Sequence, residues 1–296
     1  DGPDDLDEPP VPSCEATPAS LPGDYPIALS GGADANYSLT LVAGSLTVGK
    51  AAQTIVFPEL AAATYGDGPV VLSATASSGL PVSFTSLTPG VATVADGVVT
   101  ILAAGNATLR AGQPGNDTYL PADSVDRVLV IGRKPLRVTA RDSQRPYGEA
   151  NPAFAFDYDG FVGDDGAGDL DQLPAAACAA TPQSAPGNYA IVLEGGNDGN
   201  YALDLHGGTL TVVKAGQGIT FPPLPARTYG DAAFALAASA TSGLPVSYIS
   251  LDESVATVAG HLVTIHGAGT ATLRAEQPGD GNFEPAAPAD QALTVL

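Results

Sequence analysis

Positions 164 residues apart carry the same motifs throughout this 296-residue chain, and that regularity constrains the fold more than any other feature. Ser13–Ser20 (SCEATPAS) returns as Ala177–Ser184 (ACAATPQS), and Ala35–Ala51 (ANYSLTLVAGSLTVGKA) as Gly199–Ala215 (GNYALDLHGGTLTVVKA). ATYGD at 63–67 returns as RTYGD at 227–231, SSGLPVSF at 77–84 as TSGLPVSY at 241–248, and VATV at 91–94 as VATV at 255–258. Nothing is inserted or deleted between the copies. A strand slipped by one residue would turn its core face to solvent, so a gapless duplication implies the same strands in the same register twice.

The period is too long for one solenoid coil and divides internally. Lys50-Ala51, Lys214-Ala215 and Gly132-Arg133-Lys134-Pro135 each follow an apolar strand ending. These junctions give segments 1–50, 51–132, 133–214 and 215–296, each full one about 80 residues, near the lower limit for a sandwich without disulfides. With 35 Gly, 26 Pro, no Met and no Trp, the chain suits many short strands joined by turns and is expected to be all-β. In 51–132 the strand candidates are Thr54–Phe57, Val70–Ala76, Val82–Ser86, Ala92–Ala95, Val98–Leu102, Ala107–Ala111 and Arg127–Ile131. Asp96-Gly97 between two alternating runs predicts a type I′ hairpin. Seven strands at this spacing predict an immunoglobulin-like sandwich without a cysteine pair. Its expected core, in both copies, is Phe57/Phe221, Leu72/Leu236, Val82/Val246, Val94/Val258 and Leu109/Leu273.

SFTSLTPGVATVADGVVTILAAGNATLRA and SYISLDESVATVAGHLVTIHGAGTATLRA resemble bacterial immunoglobulin-like repeats, through the V-A-T-V strand, the G-x-V-T return and the G-x-A-T strand. Segment 133–214 resembles a second module, the mostly-β, glycine-rich MBG domain of the YGX type. It does so through KPLRVTARD, PYGEANPAFAFDYDGFV, GNYAIVLEGG and NYALDLHGGTLTVVKA. The resemblance implies a tandem array within a large bacterial surface or secreted protein, without catalytic activity of its own. The first segment, 1–50, reads as the C-terminal half of such a module.

Eleven basic against 32 acidic residues give a formal charge of −21, which excludes nucleic acid and anionic membrane surfaces as favoured partners. No run approaches the ~18 apolar residues of a membrane span. The acidity keeps an extracellular rod soluble or binds divalent cations. The calcium candidates are Asp164, Asp165, Asp169 and Asp171, with Asp4–Glu8 as the second acidic stretch. Their spacing fails the EF-hand pattern, and local Asx turns are the competing account. GGADANYSL and GGNDGNYAL are single near-misses to a calcium nonapeptide that works only in stacks. No cofactor is called for.

No nucleophile–base pair stands out. His206, His261 and His266 are Val42, Gly97 and Leu102 in the other copy, so the fold does not need imidazole there. Tyr65, Tyr147 and Tyr229 open Tyr-Gly-Asp/Glu turns in which Gly allows the sharp bend and Tyr packs with its hydroxyl at the rim. Cys14 and Cys178 are expected as small buried side chains, the alternative being an intermolecular disulfide in a fibre. Asn36, Asn106 and Asn116 head sequons that a bacterium would leave unmodified.

Short linkers between sandwiches imply a stiff rod, with roughly 35–45 Å added per module from the ~3.3 Å rise of a strand and its end loops. The expected function is a stalk or fibre segment of a bacterial cell-surface or secreted adhesin, holding a distal tip away from the cell. Its partners would be neighbouring modules and other copies of the chain in a fibre. The alternatives are a sugar- or calcium-dependent adhesive module and a self-assembling extracellular filament subunit. Residue 1 aligns with Asp165, so the sequence is expected to be a window on a longer array, or else to receive its missing strands from a neighbouring chain.

Overall fold

In the computed structural model, which describes residues 5–296, the chain divides into two compact units. The first runs to Lys134 and includes Val162–Asp164 and Gly199–Ala202; the second comprises Pro135–Phe161, Asp165–Asp198 and Leu203–Leu296. The described residues are strands and turns with a 3-10 turn at Ala167–Asp169, and the chain is all-β.

In the first unit, segment 51–132 builds its core from strands that alternate. Along Gly105–Gly112, Ala107, Leu109 and Ala111 are buried while Arg110 points outward, as the two-residue period of a strand requires. Gly105–Gly112 lies between Val125–Gly132 and Ser83–Ser86. A second sheet orders Val70–Val71, Val98–Ile101 and Ala92–Ala95, and Ile55–Val56 pairs with Thr75–Ala76. Phe57, Leu72, Val99, Leu109 and Leu129 join in one buried cluster. The expected strand Val70–Ala76 is broken, because its first half pairs with Val98–Val99 and its second with Ile55–Val56. The chain changes sheets at Leu72–Ala74, a corner that alternation alone does not reveal.

Segment 215–296, in the second unit, repeats the plan. Ser247–Ser250, Gly269–Glu276 and Ala289–Val295 form one sheet; Phe234–Ala235, Leu262–Ile265 and Ala256–Ala259 form another. Phe221, Leu236 and Leu273 are buried like Phe57, Leu72 and Leu109. Val82, Val246, Val94 and Val258 are only partly buried against the core, because they border or lie on edge strands. The hairpin Ala92–Ile101 turns through Asp96 (φ 49°) and Gly97 (φ 76°), both positive as a type I′ turn requires. Its counterpart has Gly260 (φ 62°) in the first central position, the requirement of type II′, and the register is unchanged.

In segment 133–214, Ser143–Pro146, Gly208–Val213, Gly187–Asn197 and Gln172–Cys178 form one sheet, and Phe156–Asp159, Lys134–Ala140 and Tyr201–His206 the other. Leu136, Val138, Ile191, Leu210 and Val212 fill it. Arg145, 3% exposed, donates from all three guanidinium nitrogens to neutral oxygens of this module. Nε donates to Asn151 Oδ1 (2.7 Å), Nη1 to Pro146 O (3.1 Å) and Nη2 to Thr181 O (2.6 Å). Asn151 Nδ2 in turn donates to Ala180 O at 2.8 Å.

Three cross-strand pairs line the outer faces: Arg110 with Asp126, Arg141 with Asp157 and Arg274 with Asp290. Hydrogen bonding from each guanidinium holds its partner's carboxyl below the usual carboxylate range. That stabilisation is present above the ordinary carboxylate pKa and is lost as pH falls through the depressed one, and solvent screening keeps it small.

The first segment has three strands, Val11–Cys14, Gly23–Ser30 and Gly44–Val48, paired in the register of their counterparts: Gly23 faces Val48 as Gly187 faces Val212. Cys14 is exposed and Cys178 half-buried, so neither is the buried small side chain expected of it. Both lie at the ends of strands and opposite isoleucines, Ile27 and Ile191, where the sheet gives way to a loop.

Candidate functional site: the module junctions

A junction is built first from its linker. Lys214-Ala215 leaves segment 133–214 and is fixed at once to the loop Pro278–Phe283 of the sandwich that follows, within the second unit. Lys214 Nζ donates to Asp280 O (2.6 Å), Ala215 N to Asn282 O (2.9 Å), and Glu284 N to Ala215 O (2.9 Å). The loop is preformed. Asp280 Oδ1 accepts the amides of Asn282 (2.7 Å) and Phe283 (2.9 Å), an Asx turn, and Gly279 adopts φ 78°. A Cβ on Gly279 would lie 2.4 Å from Phe283 O, so the bend requires glycine.

Two glutamines lock the loop to the strand beneath. Gln217 Nε2 donates to Gln277 Oε1 and to Glu284 O, both at 2.7 Å, and Ser242 Oγ donates to Gln217 Oε1. Gln277, 5% exposed, also accepts the Gly279 amide. Every one of these contacts recurs in the first unit. Lys50 Nζ donates to Asn116 O (2.7 Å), Ala51 N to Thr118 O (2.9 Å), and buried Gln53 to Gln113 Oε1 (2.7 Å) and Leu120 O (2.8 Å). Asn116 replaces Asp280 in the Asx turn and Gly115 replaces Gly279. A buried amide is costly unless hydrogen-bonded, and the recurrence of this bonded pair in both units marks it as built.

The Tyr-Gly turns complete the junctions. Tyr147 stacks edge-on against Phe283 (centroids 5.5 Å, 80°), while its amide donates to Val213 O and that of Gly148 to Pro182 O. In the first unit Tyr65 meets Tyr201 edge-on at 5.5 Å. Tyr201 Oη accepts the Val162 amide (2.9 Å), and Asn200 Oδ1 accepts that of Ala104 (2.9 Å). The motif expected to bend the chain and pack its tyrosine supplies a ring to the joint between modules. Gly66 sits so close that a Cβ would lie 2.4 Å from Val162. The glutamines carry no motif of their own. Their signal is recurrence, Ala-x-Gln after each linker and Gln-Pro-Gly before each loop.

The acidic candidates do not gather into one group. Asp164 is exposed, Asp169 Oδ2 accepts the Gly166 amide (2.8 Å), and the Asp171 amide donates to Asp198 Oδ2 (3.1 Å). Asp7 Oδ2 accepts the Ala35 amide at 2.8 Å, and Asp4 lies outside the described residues. Among the described residues no group of three or more His, Cys, Asp or Glu could hold a metal ion. His206 lies against Asp204 and Arg137, His266 against Thr257, and His261 is exposed.

Residues 1–47 and 136–211 match the family model of the MBG domain (YGX type). These stretches are MBG domains. The matched stretch 136–211 includes Tyr147-Gly148, the turn that meets the sandwich at Phe283. The sandwiches 51–132 and 215–296 alternate with the MBG stretches along the chain. Among solved structures, Drosophila N-cadherin EC1-4 is similar at 12% identity, covering 95% of this chain and 85% of that one, with a TM-score of 0.29. Sidekick-1 immunoglobulin domains 1-5 are similar at 16% identity, covering 95% and 68%, with a TM-score of 0.30. No curated protein matches the chain. Among the described residues no helix is long and apolar enough to cross a membrane.

Proposed function

We propose that this chain is a load-bearing, non-catalytic spacer, a stalk or fibre segment of an extracellular bacterial adhesin located at the cell surface or secreted. One observation carries the reading: in each complete module an N-terminal segment pairs in parallel with the C-terminal strand. Ala63–Thr64 pairs with Ile131–Gly132, Ser143–Pro146 with Leu210–Val213, and Arg227 bridges Val295. Tension along the chain pulls parallel neighbours past each other. All their hydrogen bonds then bear load together instead of unzipping singly. The junctions add Ala51 with Tyr119 and Ala215 with Phe283, again parallel.

Stretching single molecules between their ends tests this. Segments 51–132, 133–214 and 215–296 should each rupture in a separate event releasing about 25 nm, from roughly 3.4 Å per residue over about 80 residues. The three-stranded segment 5–50, whose outer strands among the described residues pair only with Gly23–Ser30, should yield first. Extension without resolved ruptures would contradict a mechanical role.

A further inference from the structure

The duplication builds the two sandwiches on one plan, so a place where their chemistry parts is informative. In segment 51–132 the edge strand Ser83–Ser86 and the tip of the hairpin Ala92–Ile101 border a surface cleft of about 450 Å³. Leu72, Val82 and Phe84 make its apolar wall, and Asp96 and Gly97 its rim. The Leu72 amide donates to Gly97 O (2.8 Å), which holds the tip in place. A Cβ on Gly97 would lie 3.8 Å from the Phe84 ring, so glycine leaves the ring uncovered from that side. Among the described residues the Asp96 carboxylate takes part in no hydrogen bond or ion pair. In segment 215–296, Leu236 and Val246 repeat Leu72 and Val82, but Tyr248, Gly260 and His261 stand in place of Phe84, Asp96 and Gly97. There the Ala238 amide donates to Tyr248 Oη (2.7 Å), position 260 carries no carboxylate, and an imidazole replaces the bare glycine. At this place only the first sandwich pairs an apolar cleft with a free negative charge.

We propose that this cleft receives the side chain of a lysine carried on an extended segment of a partner protein. Charge and shape select the side chain together. A lysine lays its methylene stem along Leu72, Val82 and Phe84 and brings its ammonium to Asp96, with the remaining ammonium protons left in water. A guanidinium fits less well, because a lone carboxylate leaves most of its five donors against an apolar wall. The backbone favours an extended segment over a free amine. Ser83–Ser86 pairs on one side only, with Gly105–Gly112, so its other edge can take main-chain hydrogen bonds from a strand that places its lysine in the cleft. The partner is another protein rather than a second copy. A net charge of −21 sets copies of this chain against each other and draws a basic surface. The chain's own Lys50 and Lys214 are already tied to Asn116 O and Asp280 O.

The test titrates a blocked pentapeptide of alanines with lysine at its centre into the full chain and follows backbone amide NMR shifts. Saturable shifts at Leu72, Phe84 and Gly97 are expected. Norleucine in place of the lysine should bind about fivefold or more weakly, the size of an exposed ion pair with a cation–ring contact. Phe84→Tyr with Asp96→Gly and Gly97→His gives the first sandwich the residues with which the second already folds, and should abolish the shifts. The reverse exchange, Tyr248→Phe with Gly260→Asp and His261→Gly, should install them at Leu236. Equal binding of the norleucine peptide overturns the proposal, as do equal shifts at Leu236 of the unaltered chain or no saturable shift at Gly97. Butylammonium binding as tightly as the lysine peptide would make this a small-amine site and overturn the assignment to a partner protein.

Discussion

Replacing Arg145 by alanine is expected to destabilise the MBG domain 133–214 by about 3 kcal/mol, the sum expected for stranding several buried hydrogen-bonding groups. The loss has two parts. Thr181 O and the Asn151 side chain lose their charged donor, and the long aliphatic stem leaves a void beside Pro146. Arg145→Lys should recover little, because three bonds in different directions need the planar five-donor fork and an ammonium group offers a single point. Site-resolved hydrogen exchange localises the effect: Val138 and Leu210 amides should open more readily while Leu109 and Leu273, in the sandwiches, stay unchanged. Full rescue by lysine, or a loss under about 1 kcal/mol, would mean that the guanidinium network is incidental.

Gln277→Leu is expected to cost about 2 kcal/mol, close to isosteric in size but leaving the half-buried Gly279 amide without its acceptor and Gln217 with one bond fewer. The consequence differs in kind from a core mutation. The loop Pro278–Phe283 should loosen, and with it the Ala215 amide and the Lys214 anchor, so exchange at Ala215 quickens before that at Leu273. Gln113→Leu should do the same to Ala51 in the first unit. If Ala215 exchange is indifferent to the substitution, the glutamine pair stabilises the sandwich without fixing the junction.

Much of this fold is legible from repetition. Strand positions, the Asp96-Gly97 turn and the burial of Phe57, Leu72, Leu109 and their counterparts follow from alternation and turn chemistry. What escapes is non-local. The two-residue strand Ala63–Thr64 has no pattern of its own and exists because Ile131–Gly132 passes alongside. The corner after Leu72 is set by two different partners. Arg145 looks like an ordinary surface arginine until Thr181 and Asn151, distant in sequence or across a turn, close around it. The glutamines are hidden because polar residues near turns usually face solvent, and the Tyr-Gly rings are expected to pack but their partners, Tyr201 and Phe283, lie far along the chain. Tyr229, 63% exposed, shows that the same motif can also face solvent.

The Lys214 anchor, the Pro278–Phe283 loop and the two glutamines join segment 133–214 to the sandwich after it without slack. Distances between spin labels at Ala179→Cys and Thr264→Cys, both exposed positions of the second unit, measure this directly when Cys14 and Cys178 are replaced by serine. One narrow distance distribution is expected, broadened by Gln277→Leu. A broad distribution in the chain with its glutamines intact would contradict it.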